Sequence, residues 1–200
     1  MSEKRINLAY FMEKSRVNGH GARAVVWVQG CHFHCPGCFN PQNWSFSKKN
    51  LVPVSEIANK ILMTDGIEGV TFSGGEPFDQ AAALSELAAI LKENGLTVMI
   101  FTGYTYPELL KGNRASWNAL LANADMLVAG RFEQDKKVSG VTLIGSSNQQ
   151  IISLTGEIPA PESDNIPTVE RTITPDGMYL TGFPTKEMIK SFKEMAGGNA

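Results

Sequence analysis

Three cysteines, Cys31, Cys35 and Cys38, fall within the stretch Gly30-Cys31-His32-Phe33-His34-Cys35-Pro36-Gly37-Cys38-Phe39-Asn40. They are odd in number and crowded into eight residues, so a disulfide framework is a poor account and metal ligation a better one. Such thiolates suit a reducing compartment. A C-x3-C-x2-C loop can wrap one [4Fe–4S] cubane. A cubane has four irons, so three thiolates leave one iron open to a ligand bound through nitrogen and oxygen. Pro36 and Gly37 give the sharp turn between the last two cysteines, proline presetting φ and glycine accepting a positive one. The competing arrangement is a closed zinc knuckle with His32 or His34 as fourth ligand. Against it stands the lack of a second ligand pair downstream, and both histidines read more naturally as exposed or supporting loop residues.

Other segments could assist. Thr71-Phe72-Ser73-Gly74-Gly75-Glu76-Pro77 lies between a strand pattern and a helix pattern. Its glycines can bring backbone close to a ligand at a strand's C-terminal end, although alone the segment is equally a glycine-rich turn that starts a helix. Tyr104, in Phe101-Thr102-Gly103-Tyr104-Thr105-Tyr106, reads either as a core aromatic or as a ligand contact. Ser146 and Asn148, in Leu143-Ile144-Gly145-Ser146-Ser147-Asn148-Gln149, can hydrogen-bond a carboxylate or ribose, or satisfy a turn.

The elements that must hold these residues are legible from periodicity. Ala24 to Val28 is a β-branched and aromatic run ending three residues before Cys31, which predicts a strand buried on both faces. Val54, Ile57, Ala58, Ile61 and Leu62 recur at helical spacing, and Gly69 to Phe72 resumes a strand. Leu84, Leu87, Ala88 and Leu91 mark a helix that Gly95 can end, and Thr97 to Phe101 is the next strand. A helix around Trp117, Leu120 and Leu121 precedes a strand from Met126 to Ala129. This alternation predicts an α/β fold with a parallel sheet, an open or partial (β/α) barrel with its active groups at the strands' C-terminal ends. Glu157 to Pro167, with three prolines, predicts an irregular loop. A hairpin of Val169–Thr174 and Met178–Thr181 around Pro175-Asp176-Gly177 follows, then a helix carrying Met188, Ile189, Phe192 and Met195. The expected organisation is a single domain, with a core over residues 1–155 and a C-terminal extension over 156–200 packed on it.

Composition narrows the function classes. The 200 residues are enough for one continuous core, and 42% are apolar and 19% charged, as in ordinary globular proteins. No apolar run approaches the ~18 residues that span a bilayer. Leu8 to Glu13 is too short and too soon charged for an export signal, so a cytoplasmic location and no membrane partner are expected. A net charge of −2 without a basic block argues against nucleic acid as a partner.

Around the cysteines the chain resembles the radical S-adenosylmethionine (SAM) superfamily, and within it the activating enzymes of anaerobic ribonucleotide reductase, which carry the same Cys-Pro-Gly-Cys-aromatic-Asn run. The resemblance extends from about Ile6 to Ile152. It implies a partial (β/α)6-type radical SAM barrel, a [4Fe–4S] cluster on Cys31, Cys35 and Cys38, and SAM chelating the free iron. One-electron cleavage of SAM would then give a 5′-deoxyadenosyl radical. It also implies SAM-binding roles for Gly37, Phe39, Ser73, Gly74, Gly75, Glu76, Pro77, Thr102, Tyr104, Ser146 and Asn148. Beyond the cluster and SAM, no catalytic side chain is expected. Two positions depart from the family pattern: Ala129 stands where an acid is usual, and Ile144 replaces an arginine.

The implied activity is generation of a glycyl radical in an anaerobic ribonucleotide reductase-like partner. There is no second cysteine cluster, so electrons must come from a flavodoxin or ferredoxin. A small barrel without a capping domain is expected to leave its mouth free for the partner's glycine loop. A radical SAM enzyme acting on a peptide or small metabolite, and a non-catalytic zinc-binding interaction module, are the alternatives.

Overall fold

The computed structural model describes residues 3–138, 143–159, 169–174 and 177–195. The chain opens with β1 (Arg5–Ser15) and β2 (Arg23–Val28), then passes through the cysteine segment to β3 (Leu51–Pro53) and α1 (Val54–Leu62). Next come β4 (Gly69–Gly74), α2 (Ala81–Glu93), β5 (Thr97–Thr102), α3 (Tyr106–Gly112), α4 (Ala115–Ala122) and β6 (Met126–Ala129). β7 (Gln150–Ser153), β8 (Val169–Thr174), β9 (Gly177–Gly182) and α5 (Lys186–Met195) complete it.

Seven strands form one mixed sheet in the order β3-β1-β2-β4-β5-β6-β7. The four central strands, β2, β4, β5 and β6, are parallel, as the alternation predicts. The margins correct that expectation, because β1, β3 and β7 all run antiparallel to their neighbours. The link from β1 to β2 explains one of these: residues 16–22 are too few for a crossover, so the strands must reverse. β1 has no counterpart in the sequence expectation.

Strand alternation sorts the two faces of the sheet. Ala24, Val26, Val28, Val70, Phe72, Val98 and Ile100 pack with Ile57, Ile61, Leu84, Leu87 and Leu91 of the helices into the main core. Each fully buried Ile or Leu contributes about 1.5–3 kcal/mol. The intervening residues point the other way: Val25 and Trp27 of β2 cluster with Met12, and Met99, Met126 and Val128 cluster with Leu143 and Ile158. This second face carries the site.

The β8–β9 hairpin is registered from Val169↔Gly182 to Thr174↔Gly177, close to the strands read from the sequence. Pro175 and Asp176 of its turn, and all but the first residues of the proline-bearing loop, lie outside the described residues. Tyr179 stacks on Tyr10 at 4.8 Å and 15°. Thr181 Oγ1 donates to Asn18 Oδ1 at 3.0 Å, the Arg16 N–H donates to Glu170 Oε1 at 2.7 Å, and Phe183 lies 6.2 Å from Phe101. The hairpin and Phe183 thus make contacts from β1 to β5.

At the end of the sheet away from the cysteines, the Arg23 guanidinium is fully buried. It donates to the carbonyls of His20, Val70 and Thr97 and to the hydroxyls of Thr71 and Thr97. Burial lowers its pKa to about 10, and Asp125 and Glu68 oppose that shift. The group stays charged at neutral pH.

Candidate functional site

Because β2, β4, β5 and β6 are parallel, their C-terminal ends lie together, and the first three are followed by segments singled out from the sequence. The cysteine loop follows β2, Gly75-Glu76-Pro77 follows β4, Gly103-Tyr104 follows β5 and Gly130-Arg131-Phe132 follows β6. Backbone bonds extend the ladder into these loops: the Gly75 N–H donates to Val28 O at 2.7 Å and the Glu76 N–H to Gly30 O at 2.8 Å. The contact is so close that a Cβ on Gly75 would sit 2.0 Å from the Gly30 oxygen. Likewise a Cβ on Gly103 would lie 2.5 Å from the Phe33 ring. Glycine at both positions lets the cysteine loop settle onto its neighbours.

All three cysteines are free thiols, Cys31 buried and Cys35 and Cys38 half-buried. Gly37 adopts φ +73°, the turn that the Pro-Gly pair predicts. The Asn40 N–H donates to Cys38 Sγ at 3.4 Å, and the nearby backbone N–H groups of Phe33 and His34 at Cys31 and of Phe132 at Cys35 favour the thiolate form of those sulfurs. Donors aimed at sulfur are what a thiolate-bound cluster uses to tune its charge and potential, so this donor set fits a cubane. Burial pushes the Cys31 thiol up to about 11, and Glu76 and Asp79 add to the effect. Burial also raises Cys35. Both are therefore protonated until a cation replaces the proton.

His32 does not present a free ligand nitrogen. Nδ1 pairs with Asp79 Oδ2 at 2.8 Å and Nε2 with Tyr104 Oη at 3.2 Å. His34, with φ +48°, turns its ring to Trp44 at 5.0 Å. Among the described residues no three His, Cys, Asp or Glu side chains are grouped around a single ion.

A cavity of about 590 Å3 runs along the second face of the sheet. Gly37, Cys38, Phe39 and Ser73 border it near the cluster loop, Tyr10, Trp27, Phe101 and Phe132 give it an aromatic lining, and Lys49 and Lys137 reach it as cations. Among the described residues no aspartate or glutamate lines it. Tyr179 to Pro184, from β9 and the residues after it, form part of its wall, so the cavity is not left open to a partner on every side, contrary to expectation.

The sequence-derived residues divide accordingly. Gly37, Phe39 and Ser73 border the cavity, whereas Gly74, Gly75, Glu76, Pro77, Thr102, Tyr104, Ser146 and Asn148 do not. Glu76 is buried, accepting from Phe78 N–H at 2.9 Å, Thr102 Oγ1 at 2.9 Å and Gly103 N–H at 2.8 Å. Burial still raises its pKa to about 7 against those three bonds. The Tyr104 ring packs between Trp117 and Phe33, and burial raises its hydroxyl to about 12. Ser146 is buried with Oγ accepting from Glu133 N–H, and Asn148 Nδ2 donates to Arg131 O. These side chains organise the loops around the cavity. Asn18, Trp27, Phe101, Phe132 and Gln149 border it without having been singled out as ligand contacts, and the alternation of faces along β2 and β5 is the signal that could have found Trp27 and Phe101.

A family model described as a 4Fe-4S single cluster domain matches residues 17–152. The chain is similar to the anaerobic ribonucleoside-triphosphate reductase-activating protein of Vibrio cholerae, at 35% identity over 144 residues covering 68% of this chain and 90% of that protein. The protein of the same description from Pasteurella multocida is 31% identical over 160 residues, covering 75% and 99%. The pyruvate formate-lyase-activating enzyme of Staphylococcus aureus is 32% identical over 145 residues, covering 68% of this chain and 57% of that enzyme.

Proposed function

From the premise that this chain belongs to the 4Fe-4S single cluster domain family, among the radical SAM activating enzymes of glycyl radical proteins, we propose that it generates a glycyl radical on an anaerobic ribonucleotide reductase. The observation that carries this reading is the cysteine loop, with three free thiols at the C-terminal end of β2, bordering the 590 Å3 cavity through Gly37, Cys38 and Phe39. Cys31, Cys35 and Cys38 would hold the cluster. When bound, cluster and SAM supply one-electron cleavage of SAM to methionine and a 5′-deoxyadenosyl radical, which takes a hydrogen atom from a glycine Cα.

The chain's residues do the rest. Ser73 and the backbone around Gly74 and Gly75 lie at the β4 end, where they can meet the polar end of SAM. Phe39, at the cavity edge, offers a ring face to its base. Glu76 is a positioning residue, joining the β4 and β5 ends through Thr102 and Gly103. The aromatic lining keeps water from the reacting atoms. In this reading the sheet is a partial (β/α) barrel, residues 156–200 are an extension packed on a core of 1–155, the location is cytoplasmic, and a flavodoxin or ferredoxin supplies the electron.

Anaerobic incubation of the iron-loaded protein with SAM, a one-electron reductant and anaerobic ribonucleoside-triphosphate reductase tests this. The expected result is a glycyl radical signal in electron paramagnetic resonance, with deoxyadenosine released in matching amount. Deoxyadenosine release without that signal would move the assignment to another radical acceptor.

A further inference from the structure

Tyr179, Leu180, Thr181 and Gly182 are consecutive residues of β9, and all four border the cavity. Successive residues of a strand point to opposite faces, so a strand that offers four in a row to one space does so along its edge. Tyr179 and Thr181 fix its orientation: both turn to the core, onto Tyr10 and Asn18, which leaves Leu180 on the other face. Among the described residues β9 pairs with β8 alone, so its cavity-side edge carries backbone donors and acceptors without a ladder partner. An open edge of this kind is a template for one more strand.

The same cavity reaches Cys38 and Ser73 at its other end, so a chain lying along β9 would lead to the place where the proposed function puts its chemistry. Its lining holds Lys49 and Lys137 and, among the described residues, no carboxylate, which favours an occupant with neutral or acidic side chains.

We propose that the cavity-side edge of β9 is the docking rail for the partner's radical-bearing segment, which binds as an extended, neutral-to-acidic strand added to the β8–β9 hairpin. This rests on the glycyl radical reading above and supplies its substrate class: an extended polypeptide held through its backbone. It also gives the C-terminal extension a role, since the extension brings the rail to the cluster loop.

Residue-resolved hydrogen–deuterium exchange on the anaerobic, iron-loaded protein tests it, with and without anaerobic ribonucleoside-triphosphate reductase and with the glycyl radical signal read from the same samples. Outward-facing amides alternate along β9, so alternate amides between Tyr179 and Gly182 should exchange at least tenfold more slowly with the reductase present. A radical signal without that alternating protection overturns the docking rail and leaves the function standing. No radical signal from the wild-type protein overturns the function, and the rail with it. Protection that appears on raising the concentration of this chain alone assigns the edge to a second copy and also overturns the proposal.

Discussion

Thr102 Oγ1 donates to Glu76 Oε1 at 2.9 Å, tying the ends of β5 and β4 together beside the cysteine loop. The carboxyl is buried and its pKa is raised from 4.5 to about 7. A carboxyl that holds its proton more tightly when folded contributes stability that is complete below pH 4.5 and lost as pH rises through about 7. The difference in unfolding free energy between wild type and Glu76→Gln should therefore move in the variant's favour across that window, measured by denaturant titration at several pH values. A difference that stays constant with pH would show that Glu76 keeps its ordinary acidity.

Gly75→Ala should displace the cysteine loop, because the new Cβ meets the Gly30 oxygen at 2.0 Å and the Asn43 oxygen at 3.0 Å, both backbone atoms. Overpacking of this kind costs about 1–3 kcal/mol. Lower thermal stability together with reduced iron content after reconstitution is the expected result. Full iron retention would mean that the loops yield without disturbing the cysteines.

Replacing Cys31, Cys35 or Cys38 with serine should in each case abolish the brown colour of anaerobically reconstituted protein, whose iron content otherwise approaches about four per chain. The raised thiol pKa of Cys31, about 11, adds a pH dependence. Loading displaces its proton, so apparent cluster affinity should rise with pH throughout the neutral range, about tenfold per unit for each proton released. A colourless protein carrying one zinc would support the interaction-module alternative.

The stacked pair of Tyr10 and Tyr179 is the most direct test of how the extension is held. A double-mutant cycle with Tyr10→Ala and Tyr179→Ala should give a coupling of about 0.5–1.5 kcal/mol, the range for aromatic pairs. Additive effects would mean that the hairpin does not rest on β1 in solution.

The central sheet was readable because each of its strands is a short apolar run bounded by glycine or polar residues. Gly69 to Phe72, Thr97 to Phe101 and Met126 to Ala129 became β4, β5 and β6 within two residues at each end. β1 escaped because Arg5 to Ser15 mixes charged, polar and aromatic residues on both faces, and its burial follows from its neighbours rather than from its own pattern. The same holds for α3, whose signal was a capping box between Thr105 and Glu108 rather than an apolar stripe. At the site, residue type identified the cysteines and spacing identified the loops. Which side chains border the cavity was not legible, because Glu76, Thr102 and Ser146 look like ligand contacts by composition yet satisfy one another or the backbone. Tyr10 and Asn18 join the site through a strand pairing and a hairpin docking, both of long sequence separation.

From β2, Arg23 reaches two further strands, β4 and β5, with a cation that keeps its proton far above neutrality, at the end of the sheet remote from the cysteines. Any slackening of the molecule on loss of iron should consequently begin at the opposite end and travel downward, with this knot the last to loosen. Stripped protein would then keep its strands in order, ready to accept metal again without refolding from the beginning.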